Sequence, residues 1–403
     1  MSENSLLNFN HYLFLWFGAA VSIAEILTGG LLAPLGFQSG LAAILIGHLV
    51  GTSLLVFAGM IGTQERIPAI VSTRISFGIY GSYLFSVLNV LQLVGWTAVM
   101  IISAANSANE ISKVMWGMDG LQLWNLIIGG LVVLWIALGR EGGLKKANMV
   151  AVVLLFGVTV VLSTVVFQDN TVFSKPAVGG LSFGEALELS VIMPLSWLPL
   201  IADYTRFAKN KKSAAIGSGL GYFAGSSWMY TIGLGAAIIA GDPEPSAMML
   251  AANLGLSALG IVILSTVTTT FLDAYSAGVS FANIFPKLNE KYVALAMTMI
   301  GTLLALWVDI IQYENFLIAI GSVFAPLFAI LLTEYFIIKN RKVQSDLLVN
   351  WSAFGVWGLG VALYYQFIQM EFVLGATIPV MLVTALFYKI IWGYTKQWKS
   401  YKV

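Results

Sequence analysis

The chain has 403 residues, 59% of them hydrophobic and 10% charged, with no cysteine and a formal net charge of +1. A mean hydropathy of +0.88 is foreign to soluble domains and makes lipid the main solvent. The balanced charge, with no basic block beyond Lys209, Lys211 and Lys212, excludes a nucleic-acid partner, and the missing cysteines exclude disulfides, thiolate chemistry and Cys-ligated metals.

A membrane-spanning helix needs about 20 apolar residues. Windows of that kind recur approximately over 11–36, 39–62, 77–108, 121–139, 147–168, 185–207, 214–240, 255–284, 291–308, 313–338, 350–368 and 373–393, which predicts twelve segments. No charged region and no small-residue cleavage site accompany the first segment, so it reads as part of the protein and not as a signal peptide. With the N-terminus in the cytoplasm, eighteen of the twenty basic residues fall on one side, leaving Lys113, Lys175 and the acidic turn Asp242-Pro243-Glu244-Pro245 on the other. That asymmetry is the positive-inside rule. The expectation is a single transmembrane domain over 1–403 in the cell (inner) membrane, multi-pass, with both termini cytoplasmic. No soluble domain interrupts the chain, so any chemistry lies within the membrane region.

Segment one carries Ser22-Ile23-Ala24-Glu25-Ile26-Leu27-Thr28-Gly29-Gly30 near its middle, and segment six carries Pro194-Leu195-Ser196-Trp197-Leu198-Pro199. These sequences weaken helices near mid-bilayer, and the two segments enter from opposite sides. Corresponding breaks in oppositely oriented halves are the pattern of a transporter with an inverted repeat, whose site lies at discontinuous helices. The repeat boundaries are 11–168 and 185–338, with two additional C-terminal helices over 350–393. Taken singly, each break is equally well a kink of the sort glycine and proline introduce in membrane helices.

Glu25 lies beside the first break, where an unpaired carboxylate costs several kcal/mol, so it must face a cavity, a cation or a proton. It could bind an amino-pyrimidine edge, accept a coupling proton, or hydrogen-bond the freed backbone of the break. In segment three, Gln92 and Trp96 share a helix face, offering an amide to a heterocycle edge and a ring to stack on it, although such a pair is also ordinary packing. Segment eight contains Ser265-Thr266-Val267-Thr268-Thr269-Thr270, whose hydroxyls, with unwound carbonyls, could cage a hard monovalent cation or simply bond their own backbone. Asp203 and Arg206 at the inner end of segment six suit capping, pairing or gating, and Asp273 has no role. His11 and His48 are too few and too separate for a metal centre. No metalloprotease, P-loop or nucleophile-elbow pattern is present, so the chain does not read as an enzyme.

Arg74-Ile75-Ser76-Phe77-Gly78 followed by Val94-Gly95-Trp96, then Ala202-Asp203-Tyr204-Thr205-Arg206-Phe207, then Ala277-Gly278 with Phe281-Ala282-Asn283-Ile284, and Thr28-Gly29-Gly30 at the end of the first break, together resemble the nucleobase-cation symporter family, in its cytosine permease branch. The resemblance implies a five-plus-five inverted repeat and a sodium- or proton-coupled alternating-access cycle. It puts a sodium site near the Gly18 and Val21 carbonyls and the Thr268 and Thr269 hydroxyls, with retention of the threonines pointing to sodium. It puts substrate stacking on Trp96. Against the cytosine branch, Leu93 stands where a glutamine is expected with Gln92 one residue off, Pro194 replaces an aromatic with Trp197 one turn later, Ser265 replaces an asparagine, and Glu25 replaces a serine. The altered pocket is similar to that of hydroxymethylpyrimidine permeases of thiamine precursor salvage, with cytosine or another nucleobase as the alternative. The substrate positions implied are Glu25, Gln92, Trp96, Ser196, Trp197 and Ser265; the partners are a small pyrimidine, a cation and the bilayer.

Overall fold

Each hydrophobic segment of the sequence folds as a helix or as a pair of helices in the computed structural model, which describes residues 7–138, 143–168, 170–247, 256–308, 312–343 and 346–400. In chain order these are α1 (Phe9–Ala20), α2 (Ile23–Leu31), α3 (Phe37–Glu65), the short α4 (Ala69–Ser72) and α5 (Arg74–Phe77), α6 (Ile79–Trp116), α7 (Leu121–Leu138), α8 (Gly143–Val166), α9 (Phe183–Ser196), α10 (Leu198–Thr205), α11 (Lys211–Ala240), α12 (Leu256–Ala282), α13 (Glu290–Ala305), α14 (Tyr313–Leu332), α15 (Trp351–Gln369) and α16 (Thr377–Ser400). Counting α1 with α2 and α9 with α10 as single passes gives the twelve expected. Among the described residues, seven passes are long and apolar enough to span unaided, and α1 with α2 makes an eighth bent by 58°. The other four, α8, α12, α13 and α15, fall short of that length and apolarity among the described residues and pack against the passes that meet it.

The first break is sharper and earlier than the sequence suggested. Val21 leaves helical geometry at φ −79°, ψ 80°, and Ser22, extended, caps the new helix by accepting the Glu25 N–H at 3.4 Å. Gly29 and Gly30, expected to end the break, lie inside α2 instead. Their smallness serves packing: a Cβ on Gly29 would lie 2.3 Å from the Tyr230 carbonyl oxygen, and one on Gly233 would lie 2.1 Å from that of Ile26. Backbone approach of this kind binds helices in a solvent that offers no hydrophobic drive. The second break is mild by comparison. Pro194 sits within α9 and Pro199 in the first turn of α10, where its missing N–H is no loss, and the pass from Phe183 to Thr205 continues as one span interrupted at Trp197.

Along this span, α3 packs on both α9 and α10. Its glycines form notches for them: a Cβ on Gly51 would lie 2.3 Å from Pro194 Cγ, and one on Gly62 would lie 2.5 Å from Ala202 Cβ. Two groups of helices result. One comprises α1, α2, α3, α9, α10 and α11; the other comprises α6, α7, α12 and α13. The C-terminal pair α15 and α16 packs on α14 and is pinned to α9 by Glu188, whose carboxyl accepts from Tyr364 Oη at 2.5 Å, Thr377 Oγ1 at 2.6 Å, and the N–H groups of Ala376 and Thr377 at 2.7 and 2.8 Å. The last two are the orphan donors at the start of α16, so a residue of one helix caps another.

α6 extends to Trp116, two turns beyond the expected end near 108, and closes at Gly117 in the left-handed region. The polar run Asn106 to Glu110 lies within that extended helix. Asn109 accepts the Gly120 N–H at 2.8 Å and Ser112 donates to the Met118 carbonyl at 2.9 Å, holding the connection against the helix.

Candidate functional site

The two breaks meet at a cavity of about 20 Å³ lined by Ser22, Ala24, Glu25, Trp96, Met100, Met193, Ser196, Trp197, Leu200, Thr269 and Asp273. That space holds about one water, whereas ligand pockets run to roughly 300 Å³ or more, so this conformation is closed around its centre. Residues from Ser22 to Glu25 and from Met193 to Leu200 come from the first helix group, and Trp96, Met100, Thr269 and Asp273 come from the second. The cavity therefore lies on the seam between them.

Glu25 is 1% exposed. It lies in the first turn of α2, and its side chain turns to α11, where Tyr222 donates to Oε1 at 3.0 Å and Ser226 lies 2.6 Å from Oε2. Both ion pairs among the described residues belong to Lys113, so none neutralises this carboxyl. Trp96 packs edge-on against Tyr313 and Phe316, and Trp197 packs edge-on against Trp16 and Tyr222. Their edges are thus fixed while part of each indole borders the cavity.

A cation fits the residues at the break. The Ser22 N–H bonds the Ala20 carbonyl, which frees the Gly18 carbonyl from the bond that a continuous helix would make to it. On α12, which packs against α1 and α2, Thr269 Oγ1 borders the cavity and is buried with no hydrogen-bond partner among the described residues, which leaves its lone pairs free to accept a cation. Thr268 Oγ1 donates to Leu264 O at 2.8 Å, but its lone pairs stay free. Gly18 itself abuts Val152, whose Cγ2 would lie 2.5 Å from an added Cβ.

Of the positions read from the sequence, Glu25, Trp96, Ser196, Trp197 and Thr269 line the cavity. Gln92 and Ser265 do not: Gln92 Nε2 donates to the Ser196 carbonyl at 2.7 Å, bracing the second break, and Ser265 Oγ bonds the Val262 carbonyl at 3.2 Å. Asp203 accepts the Ala69 N–H at 2.9 Å and so starts α4, while Arg206 reaches Tyr275. Asp273, without a role in the sequence reading, lines the cavity one turn beyond Thr269; that i, i+4 spacing was the signal available for it. Tyr222, Ser226 and His48 carried no local signal, because only the fold brings α3 and α11 to Glu25. The motif residues Arg74 and Asn283, remote in sequence, bond each other at 2.5 Å, and Asn283 Nδ2 donates to Ser82 and Ser86.

A helical membrane bundle whose broken first helix and interrupted sixth enclose a buried cavity on a seam, bordered by the Glu25 carboxyl and two tryptophans, defines a secondary transporter. The profile of the family described as permease for cytosine/purines, uracil, thiamine, allantoin matches residues 5–391, and the chain belongs to that family, the nucleobase-cation symporters. It is 28% identical over 381 residues to a cytosine permease of Escherichia coli O157:H7, covering 87% of this chain and 84% of the relative, and 22% identical over 408 residues to a hydantoin permease of Microbacterium maritypicum, covering 91% and 83%. Among solved structures it resembles Mhp1, a nucleobase-cation-symport-1 family transporter, in a closed conformation with bromovinylhydantoin bound: TM-score 0.80 at 19% identity, over 97% of this chain and 95% of that one. The chain is a transporter and not an enzyme.

Proposed function

We propose that the protein imports hydroxymethylpyrimidine or a related thiamine precursor by alternating access, coupled to sodium, across the cell (inner) membrane with both termini cytoplasmic. The inverted repeats are 11–168 and 185–338, and 350–393 is an appended pair. The observation that carries the substrate reading is a carboxyl, Glu25, set beside two tryptophans in the cavity of a nucleobase-cation symporter. An aminopyrimidine edge offers an amino donor next to a ring nitrogen; the Glu25 carboxyl accepts from the first, and its acid form donates to the second. Trp96 and Trp197 sandwich the ring, Ser196 borders it, and Gln92 or Ser265 reaches the hydroxymethyl group once the seam opens. Sodium lies between the Gly18 and Val21 carbonyls and the Thr268 and Thr269 hydroxyls, an all-oxygen set suited to a hard cation. Its charge there offsets nearby carboxyl charge.

The test is thermal stability of the purified protein against cytosine, uracil, hydantoin, hydroxymethylpyrimidine and thiamine, each with and without sodium, because selective ligands stabilise by mass action. A sodium-enhanced shift with hydroxymethylpyrimidine alone supports the reading. A shift with cytosine instead moves the substrate to that nucleobase, and tight binding without uptake into proteoliposomes would make the protein a binder.

A further inference from the structure

Three side chains beside the cavity make more contacts than their own protons can fill. His48 of α3 is fully buried, and its Nδ1 lies 2.8 Å from the Ile44 carbonyl. A carbonyl only accepts, so Nδ1 carries a proton. Nε2 lies 2.5 Å from Ser226 Oγ, and the same Oγ lies 2.6 Å from Glu25 Oε2. A serine has one hydroxyl proton. With Glu25 ionised and His48 neutral, both neighbours of Ser226 are acceptors, and one of the two short contacts has no proton in it, in a place where an unmade bond costs about 1–3 kcal/mol.

One added proton repairs the chain in either of two arrangements. On Glu25, the acid O–H donates to Ser226 Oγ and Ser226 donates to His48 Nε2. On Nε2, the imidazolium donates to Ser226 Oγ and Ser226 donates to Glu25. A two-step shift interconverts them: the O–H bond at Glu25 Oε2 breaks as Ser226 Oγ takes that proton, and Ser226 passes its own to Nε2. The proton count is conserved and nothing is oxidised or reduced. Both arrangements carry no net charge, and the first, which has no charged group at all, is the one a low-dielectric surrounding favours.

We propose that Glu25, Ser226 and His48 form a proton site that holds one proton in the substrate-free protein, at the wall of the cavity. This rests on the transport reading only for its consequence, that substrate and proton occupancy are linked at Glu25; the proton count rests on the contacts themselves. The groups that face the trio are Tyr222, whose hydroxyl donates to Glu25 Oε1 in either arrangement, Tyr230 on α11, edge-on to the His48 ring at 4.6 Å, Tyr313 on α14, hydrogen-bonded to Thr28 at 2.7 Å, and Asp273 of α12 across the cavity. α6 contributes Trp96, uncharged. Glu188 of α9 and Asp203 of α10 are directed to Tyr364, Ala376 and Thr377, and to Ala69.

The chain has two histidines, so histidine-selective nitrogen-15 labelling gives two ring environments, and a His11→Gln variant assigns them. Infrared difference spectra between wild type and Glu25→Gln isolate the carboxylic-acid carbonyl band of Glu25 among the other buried acids. At neutral pH without substrate, the expected result is either an acid band with a neutral His48 protonated at Nδ1, or no band with an imidazolium. Ser226→Ala breaks the exchange, so that the two groups titrate separately. An ionised Glu25 together with a neutral His48 in the same wild-type sample would overturn the proposal. The readout uses no substrate, so its failure is separate from any failure of the transport reading.

Discussion

Replacing Glu25 by glutamine or by alanine separates what the carboxyl does for the fold from what it does for a ligand. Glutamine reproduces the neutral chain: its carbonyl accepts from Tyr222, its amide donates to Ser226 Oγ, and Ser226 donates to His48 Nε2, the contacts now measured at 3.0, 2.6 and 2.5 Å. Stability within about 1 kcal/mol of wild type is the expectation, because no polar group loses a partner. Alanine strands the Tyr222 hydroxyl, at about 1–3 kcal/mol, and leaves a void besides. For hydroxymethylpyrimidine, alanine removes both bonds to the amino edge, and about 1.5–3 kcal/mol lost is about 10- to 150-fold in Kd. Glutamine keeps a donor and an acceptor toward that edge, so affinity falls little while its pH dependence disappears. The assay is a thermal midpoint for each variant with binding measured over a pH series. Wild-type affinity in Glu25→Ala, or equal destabilisation of the two variants, would refute the reasoning.

Three further outcomes follow from the geometry. Thr269→Ala, which deletes an unpartnered buried hydroxyl, should abolish the sodium enhancement of ligand-induced stabilisation with little change in the ligand-free midpoint; unchanged sodium dependence would remove Thr269 from the cation site. Burial, with Asp242 and Glu110 near, pushes the Glu244 carboxyl in the loop after α11 up to about 7 from 4.5. Its acid form is the one the folded state prefers, so the stabilisation is whole below about pH 4.5 and is lost as pH rises through about 7, by about 3 kcal/mol at most. Glu244→Gln should therefore gain in thermal midpoint over wild type across that window and hold the gain above it. Gly233→Ala sets a methyl group 2.1 Å from the Ile26 carbonyl oxygen; forcing α2 from α11 costs about 1–3 kcal/mol or more, read as a lowered midpoint, whereas the same change at Gly130, with open space around it, should be neutral.

The helices were legible because lipid makes the hydropathy of each segment the dominant local term. The location of the breaks was legible and their shape was not. Glycine and proline mark a weak helix, but the bend depends on what packs beside it: Gly29 and Gly30 stay helical because Tyr230 lies against them, and Pro194 stays helical because Gly51 receives its ring. At the site, Glu25, Trp96 and Trp197 announce themselves by type and depth. Gln92 has the right chemistry for a ligand, yet its amide satisfies the Ser196 carbonyl that the second break exposes, a need visible only once both helices are placed. Ser226 was one serine among many, since its meaning lies in two partners 178 and 201 residues away.

The glycine notches of α3 make that helix a splint along the whole of segment six, received by Pro194 at one end and Ala202 at the other. Segment one has a splint of its own in α11, whose Gly217, Gly221 and Gly225 receive α1 and whose Gly233 receives α2, yet it bends by 58° at its break. The joint alone sets the two apart: a continuous pass carries Ser196 and Trp197, and an arm jointed at Val21 and Ser22 carries Glu25. Widening the seam to admit a heterocycle then falls to the Val21-Ser22 joint and to the face between the two helix groups, and a molecule gripped by Glu25 on the arm and by Trp96 across the gap ties together the parts that must move.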